Sequence, residues 1–187
     1  MNKILFVNAC VRPSSRTLEL ANYLLTKLSG KVEEVNLYNC KMLPLSLSLM
    51  QLRDNASKSN NFSDGVFDLA KQFASAETIV FAAPYWDLSF PSVVKTYLEQ
   101  ITVNGLTFKY GENGIPKGLC KAKRLIYVTT SGGPIIHNFG YDYLSCLAKN
   151  FYGIAETTCI KAEGLDIYGA NVKEILENAK NSINAIY

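Results

Sequence analysis

The sequence predicts an α/β protein with a doubly wound, five-stranded parallel sheet and helices on both faces of that sheet. Short apolar segments alternate with segments of helical periodicity along the chain, which is the pattern of repeated strand–helix–strand units. The first, third and fourth apolar segments are continuous, as is typical of strands covered on both faces. The 187 residues are 48% hydrophobic and contain no linker-like stretch, so we expect a single domain over residues 1–187.

Five segments are predicted to form the strands of this sheet. Four of them have the composition of buried parallel strands, and the fifth is polar enough to lie at an edge. In chain order they are Ile4–Asn8, Val32–Leu37, Thr78–Ala83, Leu125–Thr130 and the more polar Thr157–Ala162.

Helices are predicted between these strands and after the last one, where apolar residues recur at spacings of three and four. Thr17–Leu28 has this periodicity, and another helix follows Ser63 and Asp64, which are good N-cap residues. Pro91 suits the first turn of the next helix. The apolar positions of the last three predicted helices are Val94, Leu98 and Ile101, then Leu144, Leu147 and Phe151, and finally Val172, Ile175, Leu176, Ala179 and Ile183.

The longest predicted connection is Asn39–Asn61, which follows the second strand and mixes leucines with serines after Pro44. Loops of this length in compact domains are usually functional or disordered. We therefore expect a mobile or partly helical excursion at this place in the chain.

Composition and charge argue against several classes of function. The formal net charge is +3 and the densest basic run is Lys121–Arg124, so no nucleic-acid partner is expected. The apolar run Ile4–Val7 is too short for a signal peptide, and Ile79–Trp86 is interrupted by Pro84, so neither export nor a membrane partner is expected. Five cysteines without a CxxC spacing and a single histidine predict reduced thiols, a cytoplasmic location and no metal site.

The loop after the first strand has the composition of a phosphate site. Ligands of open α/β sheets bind beyond the carboxyl ends of the strands, near the point where the strand order reverses. Hydroxyls, arginines and the first N–H groups of a helix would cradle a phosphate there. The loop has neither GxxxxGK[ST] nor GxGxxG, which favours one phosphate monoester; the alternative is an ordinary helix N-cap. The side chains concerned are Arg12, Ser14, Ser15, Arg16 and Thr17.

Two further loops are expected at the same edge of the sheet. Ala83–Pro91 follows the third strand and is rich in aromatic residues and proline, which indicates either a planar aromatic ligand or packing in the core or a dimer. Thr129–Pro134 follows the fourth strand and contains Gly132 and Gly133. These glycines allow backbone conformations closed to other residues and would let a flat ring approach closely.

Four segments of the sequence carry a resemblance to a known family. They are Ala-Ala-Pro-Tyr-Trp-Asp-Leu at 82–88, Val-Lys-Thr-Tyr-Leu at 94–98, Gly-Leu-Thr-Phe-Lys-Tyr-Gly-Glu-Asn-Gly at 105–114 and Thr-Ser-Gly-Gly at 130–133. Together they resemble the FMN-dependent NADH-azoreductases and NAD(P)H:quinone oxidoreductases of the flavodoxin-like superfamily. The third segment is long and specific, and the similarity elsewhere is mainly one of layout.

The resemblance implies a flavodoxin-like fold, FMN as cofactor, and NADH or NADPH as the electron donor. It also implies a quinone, azo or nitro compound as the acceptor, bound in alternation with the donor, and a homodimer. The residues Ser15, Arg16 and Thr17 would hold the phosphate, and Tyr110 would cover the active site, often from the second subunit. The flavin ring would contact Pro84, Tyr85, Trp86, Asp87 and Leu88 on one loop and Thr130, Ser131, Gly132 and Gly133 on the other.

The chain departs from the family pattern at several of these positions. Cys10 stands where the family has a serine that contacts the phosphate, and Trp86 and Asp87 replace a more usual Tyr-Asn pair. The carboxylate of Asp87 would oppose negative charge on a reduced flavin, so we expect it to turn away or to lower the potential. His137 follows the Ser-Gly-Gly loop and is either a substrate contact or a solvated residue.

Two other functions fit parts of the sequence. Cys10–Thr17 spells C-x5-R-T, the spacing of a tyrosine-phosphatase loop in which Cys10 would attack phosphorus and Arg16 would hold the oxygens. Against this, Pro13 removes an amide donor, and no aspartate precedes a proline. The other alternative is a non-enzymatic electron carrier or redox sensor of the same fold, although carriers of the flavodoxin type tend to be acidic and this chain is mildly basic.

Overall fold

The computed structural model describes residues 2–187 of the chain. The strands are β1 (Lys3–Asn8), β2 (Lys31–Asn36), β3 (Thr78–Ala82), β4 (Phe108–Tyr110), β5 (Pro116–Gly118), β6 (Arg124–Thr130) and β7 (Glu156–Ala162). The α-helices are α1 (Arg16–Lys27), α2 (Leu47–Ser59), α3 (Asp68–Ser75), α4 (Ser92–Ile101), α5 (Phe139–Leu147) and α6 (Val172–Ile186). Within residues 2–187, no helix has the length and apolar character needed to cross a membrane.

The main sheet is parallel and has the strand order β2-β1-β3-β6-β7. This arrangement confirms the predicted five-stranded, doubly wound sheet and places β7 at an edge, as its polar composition indicated. The chain runs outward from β1 to β2 and then returns past β1 to β3. The strand order therefore reverses between β1 and β3, and the loops that follow these two strands open a crevice.

Helices cover both faces of the sheet and create two hydrophobic cores. Successive residues of β1 point to opposite faces, because side chains alternate along a strand. Leu5 and Val7 belong to the core beneath α3, α4 and α5, whereas Ile4 and Phe6 belong to the core beneath α1 and α6. All four side chains are at most 2% exposed. The continuous apolar composition of this strand thus reflects burial on both faces.

The structure adds features that the sequence analysis did not predict. Helix α2 forms within Asn39–Asn61, so the expectation of a partly helical excursion is confirmed. The antiparallel hairpin of β4 and β5 was not predicted, because strands of three residues are too short to show a hydrophobic period. The predicted helix that contains Leu144 and Phe151 changes character after Leu147, where a π-helical turn covers Ala148–Tyr152.

The hairpin packs against this π-helical turn so closely that Gly118 has no room for a side chain. A Cβ at Gly118 would collide with the backbone of Tyr152 and Gly153, and a backbone neighbour does not move aside as a flexible side chain would. We expect Gly118→Ala to lower the free energy of unfolding by about 3 kcal/mol, measured by urea denaturation.

Gly65→Ala is the matched control, because a Cβ there would make an ordinary contact of 3.5 Å with the Asp68 carboxylate. This control should be neutral or stabilising by up to about 1 kcal/mol. Equal stability of the two variants would contradict the packing of β5 on the π-helical turn.

Candidate functional site

A cavity of about 420 Å³ opens at the carboxyl ends of β1, β3, β6 and β7, at the point where the strand order reverses. Loops that follow four different strands contribute to its lining, as expected for a ligand site in an open α/β sheet. The lining residues are Val11, Arg12, Ser14, Ser15, Arg16, Thr17, Pro84, Tyr85, Trp86, Thr130, Ser131, Gly132, Leu165 and Asp166.

The first loop brings hydroxyl groups to the N-terminus of α1. Ser15 is the N-cap residue, and its Oγ accepts a hydrogen bond from the N–H of Leu18 at 3.3 Å. The side chain of Ser14 is exposed beside it, and Arg12 is exposed on the same loop. The positive end of the helix dipole, free N–H groups and these side chains together make an anion-binding environment.

Thr17 and Thr130 join the first loop to the end of β6. Both side chains are buried, and their Oγ1 atoms lie 2.7 Å apart in a hydrogen bond. The N–H of Tyr85 donates to the carbonyl oxygen of Thr130 at 3.1 Å, so Thr130 also holds the loop after β3. The two hydrogen bonds fix the three loops relative to one another.

The loop after β3 forms an apolar wall of the cavity. Tyr85 and Trp86 line it, and the Tyr85 hydroxyl donates to the carbonyl oxygen of His137 at 2.8 Å. Trp86 and Ser89 exchange backbone hydrogen bonds of 2.9 and 2.8 Å, which closes a tight turn. Asp87 and Leu88 adopt left-handed conformations within that turn, with φ of 50° and 67°. The turn carries both side chains into solvent, away from the cavity lining.

The loop after β6 contributes Thr130, Ser131 and Gly132 to the cavity lining. The N–H of Ser131 donates to the carbonyl oxygen of Ala162 at 3.0 Å, which joins this loop to β7. Neither Gly132 nor Gly133 has a positive φ, so this loop does not use the left-handed conformations that glycine allows. The carboxylate of Asp166 lies against the Cα of Gly132, so a Cβ there would displace this exposed side chain from its present position.

The loop after β7 also contributes to the cavity, which was not predicted from the sequence. Leu165 and Asp166 line the cavity, and a hydrogen-bonded ion pair of 2.7 Å joins Asp166 Oδ1 to Arg16 Nη1. No motif marks these two residues. The general rule that ligands bind at the carboxyl ends of parallel strands would have directed attention to them.

Several predicted residues lie outside the cavity lining. Gly133 is adjacent to it, and the ring of His137 is exposed and stacks on Phe139 with centroids 5.5 Å apart. Tyr110, on β4, is 56% exposed and lines a different cavity of about 640 Å³ beside α2 and α4. The structure of one chain therefore does not bring Tyr110 together with the other predicted site residues.

Cys10 lies beneath the first loop and is 6% exposed. Its Sγ lies 3.7 Å from the carbonyl oxygen of Ala82. Burial raises the pKa of this thiol to about 11, an effect that a hydrogen bond with Ser15 opposes. The guanidinium of Arg16 is engaged by Asp166. A phosphatase needs a reactive thiolate at the position of Cys10, so the burial and raised pKa of this thiol disfavour the phosphatase alternative.

The fold and the cavity at its switch point define a class of protein, the flavodoxin-like α/β proteins. The chain belongs to this family: residues 2–186 match the family described as having a flavodoxin-like fold.

Within residues 2–187 there is no group of three or more His, Cys, Asp or Glu side chains that could hold a metal ion.

Within this family, the chain is similar to proteins named as quinone oxidoreductases. The FMN-dependent NADH:quinone oxidoreductase 2 of Clostridium acetobutylicum is 34% identical over 192 residues, which cover 95% of this chain and 94% of that protein. The FMN-dependent NADH:quinone oxidoreductase of Coprothermobacter proteolyticus is 32% identical, with coverage of 96% and 94%. The family resemblance seen in the sequence is thereby confirmed.

Solved structures show the same fold. The azoreductase from Bacillus anthracis superimposes with a TM-score of 0.85 at 24% identity, covering 100% of this chain and 98% of that one. An FMN-dependent NADH-azoreductase from Bacillus anthracis, solved in complex with FMN, gives a TM-score of 0.79 at 24% identity, covering 100% of this chain and 97% of that one.

The raised pKa of Cys10 gives a testable pattern of thiol reactivity. A pKa of about 11 instead of 9.0 lowers its thiolate fraction at neutral pH about a hundredfold. We expect iodoacetamide to modify the exposed Cys146 at neutral pH while Cys10 stays unmodified until the pH approaches about 11. Peptide mass spectrometry after timed labelling measures both sites in one sample.

Labelling in concentrated urea is the control, since all five cysteines are then accessible and should react. If Cys10 reacted as fast as Cys146 in the folded protein at neutral pH, the thiol would be activated and the phosphatase alternative would regain support.

Proposed function

We propose that this chain is an FMN-dependent oxidoreductase that passes reducing equivalents from NADH or NADPH to a quinone, azo or nitro compound. The observation that carries the proposal is the cavity at the β1/β3 switch point, which combines a hydroxyl-rich helix N-terminus with an aromatic wall. The names of the relatives from Clostridium acetobutylicum and Coprothermobacter proteolyticus support the same activity.

We assign the phosphate of FMN to the N-terminus of α1. The hydroxyls of Ser14 and Ser15 and the exposed guanidinium of Arg12 lie there together. Hydroxyls and N–H groups donate hydrogen bonds to phosphate oxygens, and the helix dipole favours the negative charge. A pyrophosphate needs glycines that let the backbone approach it closely. This loop has none, so its donor set suits a phosphate monoester.

The flavin ring fits the other end of the cavity, where Pro84, Tyr85 and Trp86 provide an apolar wall. On the loop after β6, the N–H groups of Gly132 and Gly133 donate to no acceptor in the described part of the chain. Such N–H groups stabilise negative charge that develops on a ligand in a partly dry site. Phosphate donors on one loop and aromatic side chains on another are what FMN requires, so the residues fit this cofactor.

When bound, FMN supplies the two-electron chemistry of hydride uptake from the nicotinamide and delivery to the acceptor. The chain contributes position: the hydrogen bonds among Thr17, Thr130 and Tyr85 hold the three loops in register. No protein acid or base is required. The donor and the acceptor would occupy the same open cavity in turn, which gives ping-pong kinetics.

A homodimer in the cytoplasm is the assembly that we propose for this enzyme. Tyr110 is exposed on the β4–β5 hairpin and lies outside the cavity of its own chain. A second subunit would allow it to cover the partner's cavity. The exposed His137 and Phe139 lie beside the loop after β3, to which their backbone is hydrogen-bonded at Tyr85 and Leu88, and His137 would contact an acceptor there.

The first test of this function is the visible spectrum of the purified protein reconstituted with FMN. We expect a retained flavin band that NADH bleaches under anaerobic conditions and that a quinone then restores. Binding can be followed through Trp86, the single tryptophan of the chain, because a flavin against it should quench its fluorescence. Trp86→Phe should lose this signal and keep the flavin band.

Each other outcome favours a different function. Bound flavin that NADH does not reduce would favour the electron carrier or sensor. Failure to bind flavin, together with hydrolysis of an aryl phosphate, would contradict the proposal in favour of the phosphatase.

Ser14 and Ser15 offer a matched pair of variants at the proposed phosphate site. Ser15 caps α1, whereas Ser14 makes no hydrogen bond to a described residue. We expect Ser14→Ala and Ser15→Ala both to weaken FMN binding severalfold, since each removes a donor to a charged oxygen. Ser15→Ala should in addition cost about 1 kcal/mol of stability through the lost cap.

Titrations with FMN and with riboflavin, read against urea denaturation curves, separate the two effects. Riboflavin lacks the phosphate, so Ser14→Ala should leave its dissociation constant unchanged. An equal loss of affinity for both flavins would contradict the assignment of the phosphate to this end of the cavity.

A further inference from the structure

The ion pair of Arg16 and Asp166 lies in the lining of the cavity, where it joins the first turn of α1 to the loop after β7. Arg16 Nη1 donates to Asp166 Oδ1 at 2.7 Å and to the carbonyl oxygen of Leu165 at 3.4 Å. The two side chains of the pair are 40% and 69% exposed. Ion pairs with this exposure contribute little to the stability of a fold.

Asp166 is held against the cavity by the loop after β6. Its N–H donates to the carbonyl oxygen of Gly132 at 2.9 Å, and the N–H of Leu165 donates to that of Ser131 at 3.1 Å. The missing Cβ of Gly132 provides the space that the Asp166 carboxylate occupies. A carboxylate is thus fixed in the lining of a cavity that otherwise presents hydroxyls, helix N–H groups and arginines.

This carboxylate lowers the positive charge that the cavity presents to an anion. Arg12 and Arg16 contribute two positive charges to the lining, and Asp166 contributes one negative charge. Like charges repel over the few ångströms that separate groups in one cavity. One face of the Arg16 guanidinium is occupied by Asp166, and its other N–H donors remain free to meet a ligand.

We propose that Asp166 is a specificity-determining residue that competes with the flavin phosphate for Arg16 and so limits the preference of the cavity for FMN over riboflavin. This inference rests on the proposed function, since it takes the ligand to be a flavin. The pair acts on the phosphate alone, because both of its members are charged and the ring of the flavin is not.

The test is a set of four proteins titrated with FMN and with riboflavin, with Trp86 fluorescence as the readout. The four are the wild type, Asp166→Asn, Arg16→Gln and the double variant. Asp166→Asn keeps the shape of the side chain and removes its charge, so it should strengthen FMN binding about fivefold. Arg16→Gln leaves the carboxylate without its partner and should weaken FMN binding about tenfold. The affinity of the double variant for FMN should be close to that of the wild type.

Riboflavin binding should be the same in all four proteins, and the changes with FMN should shrink as salt is added. The matched control is Glu19→Gln, which breaks an ion pair of 2.9 Å with Lys180 between α1 and α6, outside the cavity lining. This control should leave the affinity for both flavins unchanged.

Three results would overturn the proposal. Weaker FMN binding in Asp166→Asn would mean that Asp166 positions Arg16 for the phosphate instead of competing with it. Equal changes in the affinities for FMN and riboflavin would mean that the Arg16–Asp166 ion pair only links the two loops. If the wild type bound neither flavin, the proposed function would fail, and the inference would fail with it. If the wild type binds FMN, the first two results contradict the inference alone and leave the proposed function standing.

Discussion

The pairing of β1 with both β2 and β3 is the constraint on which the rest of this structure depends. β1 is an interior strand whose two faces are covered by helices, and four consecutive residues from Ile4 to Val7 are apolar and at most 2% exposed. The burial of apolar surface on both faces is the main force that stabilises such a sheet. The same pairing makes the chain reverse its direction of strand addition between β1 and β3, which opens the crevice where the cavity lies.

The cavity is held in shape by hydrogen bonds between loops rather than by any single element. Thr130 contacts Thr17 through its side chain and Tyr85 through its carbonyl oxygen, so one residue at the end of β6 holds the two loops that follow β1 and β3. A site preformed in this way loses little conformational entropy when a ligand binds. Its rigidity is consistent with a protein that positions a cofactor and leaves the chemistry to it.

Charge and burial distinguish the loop after β1 from the tyrosine-phosphatase loop whose residue spacing it shares. The first loop has the residue spacing of a tyrosine phosphatase, but Cys10 is buried with a pKa raised to about 11 and Arg16 is paired with Asp166. A thiol in this environment is a small apolar residue under the loop and a poor nucleophile. The hydroxyls above it, at Ser14 and Ser15, remain available to a ligand. Burial of the thiol therefore distinguishes the phosphate site that we propose for this loop from a phosphatase loop, in which a thiolate attacks phosphorus.

The sequence by itself determined the five strands of the main sheet, most helices and three of the loops at the site, because apolar periodicity and helix capping depend on residues close together in the chain. Tertiary structure decided the rest. Asp166 meets Arg16 across 150 positions of sequence, its carboxylate lies against Gly132, and Tyr110 lies away from the cavity that its sequence motif suggested. These facts depend on which distant residues the sheet brings into contact, and no local pattern records such contacts.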